Sequence, residues 1–211
     1  MLAGIARRLP KRILDLSVAL MLLVLLAPIL VLVLGAMAID VAVSGRDRGS
    51  FLYSEPRISS GRVFKLLKFR TLTNAALDEM RRRKTHARIL EADPANLTWA
   101  GRRILKPWYL DEVPQLLNVL RGELSLVGPR PWPPEMVARQ VAEGHDYRNR
   151  VTAGLTGPAQ VTKGSGTIFQ ELDLEYVGRA EQLGPLGLVG HDLAILGRTV
   201  GVILRGEGLN Y

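Results

Sequence analysis

The chain has 211 residues and a formal net charge of +8, from 28 Lys and Arg against 20 Asp and Glu, and it contains no cysteine. This length suffices for one anchor and one globular domain. The lack of cysteine excludes a disulfide framework and a cysteine-ligated metal site. The positive charge favours an anionic partner, which is phospholipid, a nucleotide or nucleic acid.

An apolar run from Leu16 to Ile39 follows a short basic start. A helix of about 24 residues reaches roughly 36 Å, which is enough to cross a bilayer. The run continues into Asp40 without a small-residue cleavage site, so we do not expect a cleaved signal peptide. We therefore predict a membrane helix over 1–40 and a globular domain over 41–211.

The flanking charges and the proline in this run allow two paths of the helix through the membrane. Pro28 removes a helix hydrogen bond in mid-run and introduces a kink. Basic residues flank both ends of the run and prefer the cytoplasmic side. The helix either bends at Pro28 and leaves on the face it entered, or crosses once as a kinked span. At its edge, we expect Asp15 to pair with Lys11 or Arg12.

The rest of the chain predicts an α+β, mostly helical domain with a short β-hairpin. The charged helix predicted over 75–91 lies either on the membrane surface or in solvent. The last segment, 188–204, is predicted to form an amphipathic helix rather than a second membrane span. The expected elements are strands over 51–53 and 63–69 around a turn at 58–61, helices over 75–91 and 111–120, a Gly- and Thr-rich loop over 154–166 and the helix over 188–204.

Two adjacent carboxylates, Asp111 and Glu112, open the helix predicted over 111–120. Asp111 is a good N-cap, and Pro114 is tolerated in the first turn. A helix start binds phosphate, and a carboxylate there stays ionised and can serve as a nucleophile or hold a divalent cation. The alternative is a pair of first-turn acids that only stabilise the helix, by about 0.5–2 kcal/mol for the cap.

Basic residues supply candidate phosphate contacts. Arg130 lies between two prolines that restrict the backbone, and arginine suits bidentate phosphate binding. Lys65, Lys68 and Arg70 form a basic cluster with interleaved phenylalanines. The alternative for Arg130 is a rigid surface turn without a ligand. The alternative for the basic cluster is the solvated face of a strand. The histidines in the sequence are not spaced as metal ligands. The sequence also contains no Walker loop, dinucleotide-binding fingerprint or nucleophile elbow.

The order of these motifs resembles the bacterial sugar transferases, and within them the small monotopic polyprenyl-phosphate phosphoglycosyl transferases. The resemblance covers nearly the whole chain. It is carried by the segments Lys11–Asp15, Phe64–Thr71, Leu110–Pro131, Gly154–Gly157, Leu172–Val177 and Asp192–Thr199.

Members of that family transfer a phospho-sugar from a nucleotide diphosphate sugar, usually a UDP-sugar, to undecaprenyl phosphate. The resemblance implies that Asp111 attacks the sugar-linked phosphorus, expels UMP and forms a covalent phosphoglycosyl-aspartate. It implies that Glu112, together with Asp111, holds Mg²⁺. The substrate-binding residues that it implies are Arg130, Lys65, Lys68, Arg70, Lys106 and Asp173.

The resemblance also implies a location. It predicts a re-entrant helix broken at Ala27-Pro28 and a catalytic domain with amphipathic interfacial helices on the cytoplasmic face of the bacterial inner membrane. The reaction would be the first membrane step of surface glycan assembly. The expected partners are the UDP-sugar, undecaprenyl phosphate and inner-membrane lipids, without nucleic acid; a homodimer stays open.

Two departures from the family pattern affect donor selection. Many members carry arginine where this chain has Lys106, and lysine keeps the charge but loses the planar fork. Pro158 and the segment Thr162–Gly166 also replace the usual apolar and Gly-Arg-Asn residues. Two other classes compete with the transferase: an inactive membrane-anchored protein that binds nucleotide sugar or lipid, and a basic nucleic-acid binder, which leaves the apolar run unexplained.

Overall fold

The computed structural model describes residues 2–45, 47–83, 85–162 and 169–205, and side chains within these except 2–8 and 169. The described part is mostly helical with two small two-stranded sheets, which confirms the α+β class. Its helices and strands are α1 (Leu2–Ser44), β1 (Leu52–Ser59), β2 (Arg62–Phe69), α2 (Asn74–Arg83), α3 (Ala87–Glu91), α4 (Gln115–Arg121), β3 (Ser125–Val127), α5 (Pro134–Ala142), β4 (Gly154–Thr156), α6 (Pro158–Val161), α7 (Phe169–Gln182) and α8 (Pro185–Leu204). Shorter helical turns are the 3₁₀ turns Pro94–Asn96, Leu110–Glu112 and Tyr147–Asn149 and a π-helical turn, Gly101–Leu105.

Two helices in the described part are long and apolar enough to cross a membrane. They are α1, from Leu9 to Ser44, and α8, and only 11% of the most apolar stretch of each is buried. Exposed apolar surface of this extent marks contact with lipid or protein. The helical assignment of α1 continues through Pro28, so the structure does not break the helix there, and the re-entrant path stays a prediction.

The chain divides into two compact units. The first contains Met1–Met21, Glu55–Leu66 and Gln115–Tyr211, and the second contains Leu22–Ser54 and Leu67–Pro114. The division falls within α1 and within the hairpin. It therefore differs from the expected boundary at residue 40, which separates an anchor from a domain and stays a prediction.

Strands β1 and β2 form the predicted hairpin. Ser60 and Gly61 make its turn with φ values of 49° and 71°. Two successive positive φ values are the pattern of a tight two-residue hairpin turn. Strand β1 runs on to Ser59 instead of ending at residue 53, because pairing with β2 outweighs the polar composition of its second half.

The helix expected over 75–91 is two helices. His86 has extended backbone angles and precedes α3. Apolar side chains from α2, α3 and the preceding turn pack into one buried cluster, so the chain bends back to form it. That cluster consists of Leu72, Ala76, Leu77, Ala87 and Leu90.

The helix expected over 111–120 begins four residues late. The amide of Glu112 donates to the carbonyl of Tyr109 at 3.2 Å, and that of Val113 donates to Leu110 at 3.2 Å, which are 3₁₀ spacings. Pro114 has no N–H with which to continue this turn. Helix α4 therefore starts at Gln115, and the prediction that Asp111 is its N-cap is wrong.

In the first unit, β3 and β4 pair in parallel, with Ser125 opposite Gly154 and Val127 opposite Thr156. The loop expected over 154–166 is thus partly wrong, because its first residues form β4 and then α6. Residues 163–166 of that loop lie outside the described residues.

Helix α1 is tied to the first unit by buried polar contacts. Asp15 accepts hydrogen bonds from the Ser125 hydroxyl at 3.0 Å and from the next backbone amide at 2.9 Å. Lys11 instead pairs with Asp192. Arg12 donates to the last carbonyls of α4. The expected pairing of Asp15 with Lys11 or Arg12 is wrong, because these cations have partners on other elements.

Candidate active site

Asp111 is the most constrained of the predicted site residues in the second unit. It is 2% exposed. Its Oδ2 atom accepts a hydrogen bond from Lys106 Nζ at 3.0 Å. Its Oδ1 atom is buried and has no hydrogen-bond partner among the residues that the structure describes. One oxygen is therefore fixed, and the other is left for chemistry.

Burial raises the pKa of Asp111 to about 6, against the opposing charge of Lys106 and with a further contribution from Glu112. A carboxyl with this pKa is mostly ionised at pH 7, yet it is poorly solvated and more basic than an exposed aspartate. Such a carboxylate can act as a nucleophile.

A strained turn brings Lys106 and Asp111 together. Tyr109, between them, has the left-handed backbone angles φ 53° and ψ 23°. Bulky residues rarely adopt this region, and such strain clusters at functional sites. The amide of Tyr109 donates to the carbonyl of Lys106 at 3.3 Å, and its own carbonyl accepts from Glu112. The turn lets two side chains five residues apart form an ion pair.

The π-helical turn before Lys106 sits tightly on the end of β2. A Cβ atom at Gly101 would lie 2.5 Å from the carbonyl oxygen of Thr71. Any residue other than glycine would therefore clash with this carbonyl. The same carbonyl accepts from the amide of Thr98 at 2.8 Å. The base of the turn that leads to Asp111 is therefore fixed in place.

Glu91 also belongs to this site, although no sequence pattern indicated it. Lys106 Nζ lies 2.7 Å from Glu91 Oε2 as well as near Asp111. Burial lowers the pKa of Lys106, but the charges of Asp111 and Glu91 outweigh burial and raise it. Lys106 is thus a firmly charged ammonium between two carboxylates.

Two more predicted basic residues lie in the second unit. The charge of Lys68 acts on both Asp111 and Glu91. Arg70 is buried, and its Nη1 atom donates to Asn74 Oδ1 at 2.9 Å while Nη2 donates to the carbonyl of Asp47. Arg70 therefore fastens the segment after α1 to the start of α2, and its expected substrate contact stays a prediction.

The other predicted residues, Arg130, Lys65 and Asp173, belong to the first unit. Lys65 is exposed on β2. Asp173 is buried, and Arg148 Nη2 donates to its Oδ2 at 2.6 Å. Arg148 also donates to the carbonyl of Arg130 at 2.6 Å and lies 3.9 Å above the ring of Trp132. Arg148, which the sequence analysis missed, thus fixes the Gly-Pro-Arg-Pro loop.

Glycines join that loop to β4. A Cβ at Gly154 would lie 2.1 Å from the amide nitrogen of Gly128, and a Cβ at Gly157 would lie 2.3 Å from the carbonyl oxygen of Gly128. The amide of Gly154 donates to the carbonyl of Pro129 at 2.9 Å. Two motifs that are separate in sequence therefore form one tightly packed loop pair.

A model of the family described as bacterial sugar transferase matches residues 6–206. The chain belongs to this family. It is 38% identical to the undecaprenyl-phosphate glucose phosphotransferase of Komagataeibacter xylinus over 183 aligned residues, which are 80% of this chain and 32% of that protein. It is 34% identical to the UDP-glucose:undecaprenyl-phosphate glucose-1-phosphate transferase of Escherichia coli strain K12, over 83% of this chain and 37% of that protein.

A third relative is of similar size. The chain is 32% identical to the exopolysaccharide production protein ExoY of Sinorhizobium fredii, over 94% of this chain and 87% of that protein. This bacterial sugar transferase thus spans well under half the length of the first two relatives and matches nearly all of ExoY. Membership of the family and the two candidate membrane helices together indicate a membrane-associated protein.

The carboxylates of this sugar transferase fit the Mg²⁺ ion that the family resemblance implies. Mg²⁺ in such sites takes one or two carboxylates and completes its octahedron with water and substrate phosphate. Glu112 follows Asp111 in the same 3₁₀ turn and offers a carboxylate to the ion beside the buried Asp111 oxygen that has no partner in the described part. The described residues contain no cluster of three or more His, Cys, Asp or Glu side chains, so a closed all-protein cage is not formed there.

Proposed function

We propose that this sugar transferase moves a sugar 1-phosphate from a nucleotide diphosphate sugar, a UDP-sugar, to undecaprenyl phosphate. The observation that carries the proposal is that Asp111 lies beside the strained turn at Tyr109 and pairs with a partly exposed lysine. One of its oxygens is held by Lys106, while the other is buried without a hydrogen-bond partner among the described residues. An aspartate held in this way is ready to form a covalent bond.

The reaction proceeds by two displacements at one phosphorus. Asp111 Oδ1 attacks the sugar-linked phosphorus, the bond to the bridging oxygen breaks, and UMP leaves with that electron pair. A phosphate oxygen of undecaprenyl phosphate then attacks the same phosphorus, and the bond to Asp111 breaks. The products are undecaprenyl-diphosphate-sugar and a regenerated carboxylate, so the protons and electrons balance without a redox partner.

Charge on the reacting phosphates needs compensation. The ammonium of Lys106, which stays protonated between two carboxylates, provides it beside Asp111. Lys68 adds a second positive charge in the same unit. Mg²⁺ held by Glu112 would neutralise the diphosphate and leave Oδ1 of Asp111 for the attack. The phosphate contacts expected of Arg130 and Lys65 stay predictions.

An apolar cavity supports a lipid acceptor. In the second unit a cavity of about 410 Å³ opens between α1 and the turn that leads to Asp111. Leu110, the residue before Asp111, is part of its wall, so an isoprenoid chain bound there would carry its phosphate toward the nucleophile. The wall consists of Ile29, Leu32, Val33, Ile104, Trp108 and Leu110.

We further propose that the protein acts at the cytoplasmic face of the inner membrane, where UDP-sugars are made, in the first membrane step of surface glycan assembly. The re-entrant path of α1 belongs to this proposal. It predicts that both ends of α1 are cytoplasmic, which cysteine labelling at residues 3 and 45 would check. Labelling of residue 3 from the periplasm would instead establish a spanning helix.

The decisive experiment follows UMP release and the mass of the protein. Purified transferase is incubated with Mg²⁺ and a panel of UDP-sugars, with and without undecaprenyl phosphate. We expect donor alone to give one equivalent of UMP and a phosphoglycosyl adduct at Asp111, and the lipid to restore turnover. Turnover without any adduct at Asp111 would rule out the covalent path, and absence of turnover with every donor would favour an inactive binding protein.

A further inference from the structure

We propose that Glu91 is a positioning residue for the nucleophile, because it holds the ammonium of Lys106 against one oxygen of Asp111. This inference rests on the proposed function and deepens it. Glu91 itself touches neither the proposed reacting oxygen nor the lipid cavity wall. It acts through the lysine that it holds.

The contacts form a continuous chain. Thr71 Oγ1 donates to Glu91 Oε1 at 2.7 Å. Lys106 Nζ then donates to Glu91 Oε2 at 2.7 Å and to Asp111 Oδ2 at 3.0 Å. Both oxygens of Glu91 are therefore engaged, one by a hydroxyl and one by an ammonium. The glutamate side chain is 12% exposed and therefore largely shielded from water, whereas that of Lys106 is 30% exposed.

The lysine explains why such a support is needed. Lysine ends in a compact ammonium on a flexible stem, whereas arginine has a planar fork that can grip a carboxylate with two bonds. A single ammonium near a carboxylate is free to bridge both oxygens or to turn away. Glu91 fixes it from the other side, so that it bonds Oδ2 and leaves Oδ1 of Asp111 unoccupied.

The Thr71 end of this series of hydrogen bonds is held in place by backbone contacts. The carbonyl of Thr71 accepts from the amide of Thr98 at 2.8 Å and is in tight contact with Gly101. Glu91 is the last residue of α3, and Ala87 and Leu90 hold that helix in a buried cluster. Burial raises the pKa of Glu91, but the charge and hydrogen bond of Lys106 outweigh burial and lower it. The support is thus a carboxylate held between two ordered elements.

The test measures how fast the donor-only adduct forms. We compare the wild type with Glu91→Gln, Lys106→Met and the double variant by rapid-quench UMP release, as a function of donor concentration. Glu91→Gln keeps the size of the side chain and a partner for Thr71. We expect about a 10- to 100-fold slower adduct step with a nearly unchanged half-saturating donor concentration, since misplacement by about 1 Å costs this much.

A double-mutant cycle and two controls separate positioning from general damage. If Glu91 acts through Lys106, the double variant is no slower than Lys106→Met alone. Glu91→Asp keeps the charge and should recover part of the rate that Glu91→Gln loses. Glu79→Gln changes an acid of the same unit that pairs with Arg82 and Arg83 on α2, and it should form adduct at the wild-type rate.

The outcomes distinguish failure of the positioning role of Glu91 from failure of the proposed function. A wild-type rate in Glu91→Gln, or equal losses from Glu91→Gln with and without Lys106, overturns the positioning role while the proposed function stands. No adduct in the wild type overturns the proposed function itself. If Glu91→Gln does not fold by circular dichroism, Thr71→Val removes only the supporting hydroxyl. It should slow the step about threefold, and a wild-type rate there would refute the role.

Discussion

Two buried aspartates, one in each unit, look alike at first sight. Burial raises the pKa of both Asp111 and Asp173 to about 6 against an adjacent cation. In each, one oxygen accepts from that cation and the other has no partner among the described residues. Burial and a raised pKa therefore do not by themselves identify a nucleophile.

The cations differ, and the difference is instructive. Arg148 beside Asp173 is 5% exposed and also donates to the carbonyl of Arg130 and to Gln140 Oε1, so it is a structural hub. Lys106 beside Asp111 is 30% exposed and donates to the carboxylates of Glu91 and Asp111. We therefore propose Asp111 rather than Asp173 as the nucleophile, because its cation is partly exposed and lies next to the strained turn at Tyr109.

The largest expected effect comes from Asp111→Asn. The amide cannot attack phosphorus, so UMP release and the adduct should fall by at least about 10³-fold. The free energy of unfolding should not decrease, because burial disfavours the carboxylate that the change removes. Chemical denaturation and vesicle flotation serve as controls for folding and membrane binding. Full activity in this variant would remove Asp111 as the nucleophile.

Asp173→Ala should act mainly on stability. It leaves the buried guanidinium of Arg148 without its carboxylate, and breaking a buried ion pair from one side costs about 3 kcal/mol. Urea denaturation followed by circular dichroism measures this loss. Unchanged stability together with a raised half-saturating donor concentration would instead support the predicted contact between Asp173 and substrate.

The apolar cavity beside Asp111 allows a sharper comparison of the two half-reactions. Leu32→Trp should fill the cavity and slow transfer to undecaprenyl phosphate by about 10-fold, because the bulky ring blocks an apolar site. The donor-only burst of UMP should keep its rate. Leu25→Trp, an exposed position of α1 outside the cavity wall, is the matched control. Equal slowing by both changes would argue against the cavity as a lipid site.

The smallest effect is a titration. The raised pKa means that the Asp111 carboxyl takes up a proton as the pH falls through about 6, so the carboxylate is half lost there and fully present well above it. Infrared difference spectra of metal-free wild type minus Asp111→Asn would follow this carboxyl stretch. A midpoint near the ordinary aspartate value of about 4 would show that the site is better solvated than its burial indicates.

The sequence predicted those features that depend on neighbouring residues. The hairpin followed from two strand patterns around Ser60-Gly61, and the Asp-Glu pair stood out at positions 111 and 112. Glu91 and Arg148 were missed because their partners lie 15 and 25 residues away in sequence. Glu91 had the appearance of the end of a solvated helix, and no local pattern shows that a distant lysine will bury it.

Three glycines of the first unit, Gly128, Gly154 and Gly157, have a consequence for chimeric proteins. Gly128 touches Gly154 and Gly157 backbone to backbone, with no room for a methyl group on the latter two. Replacement of the segment after β4 by that of another family member therefore requires the opposing Gly-Pro-Arg-Pro corner to be replaced with it. The two segments pack as one unit, and either segment alone would not fit against a foreign partner.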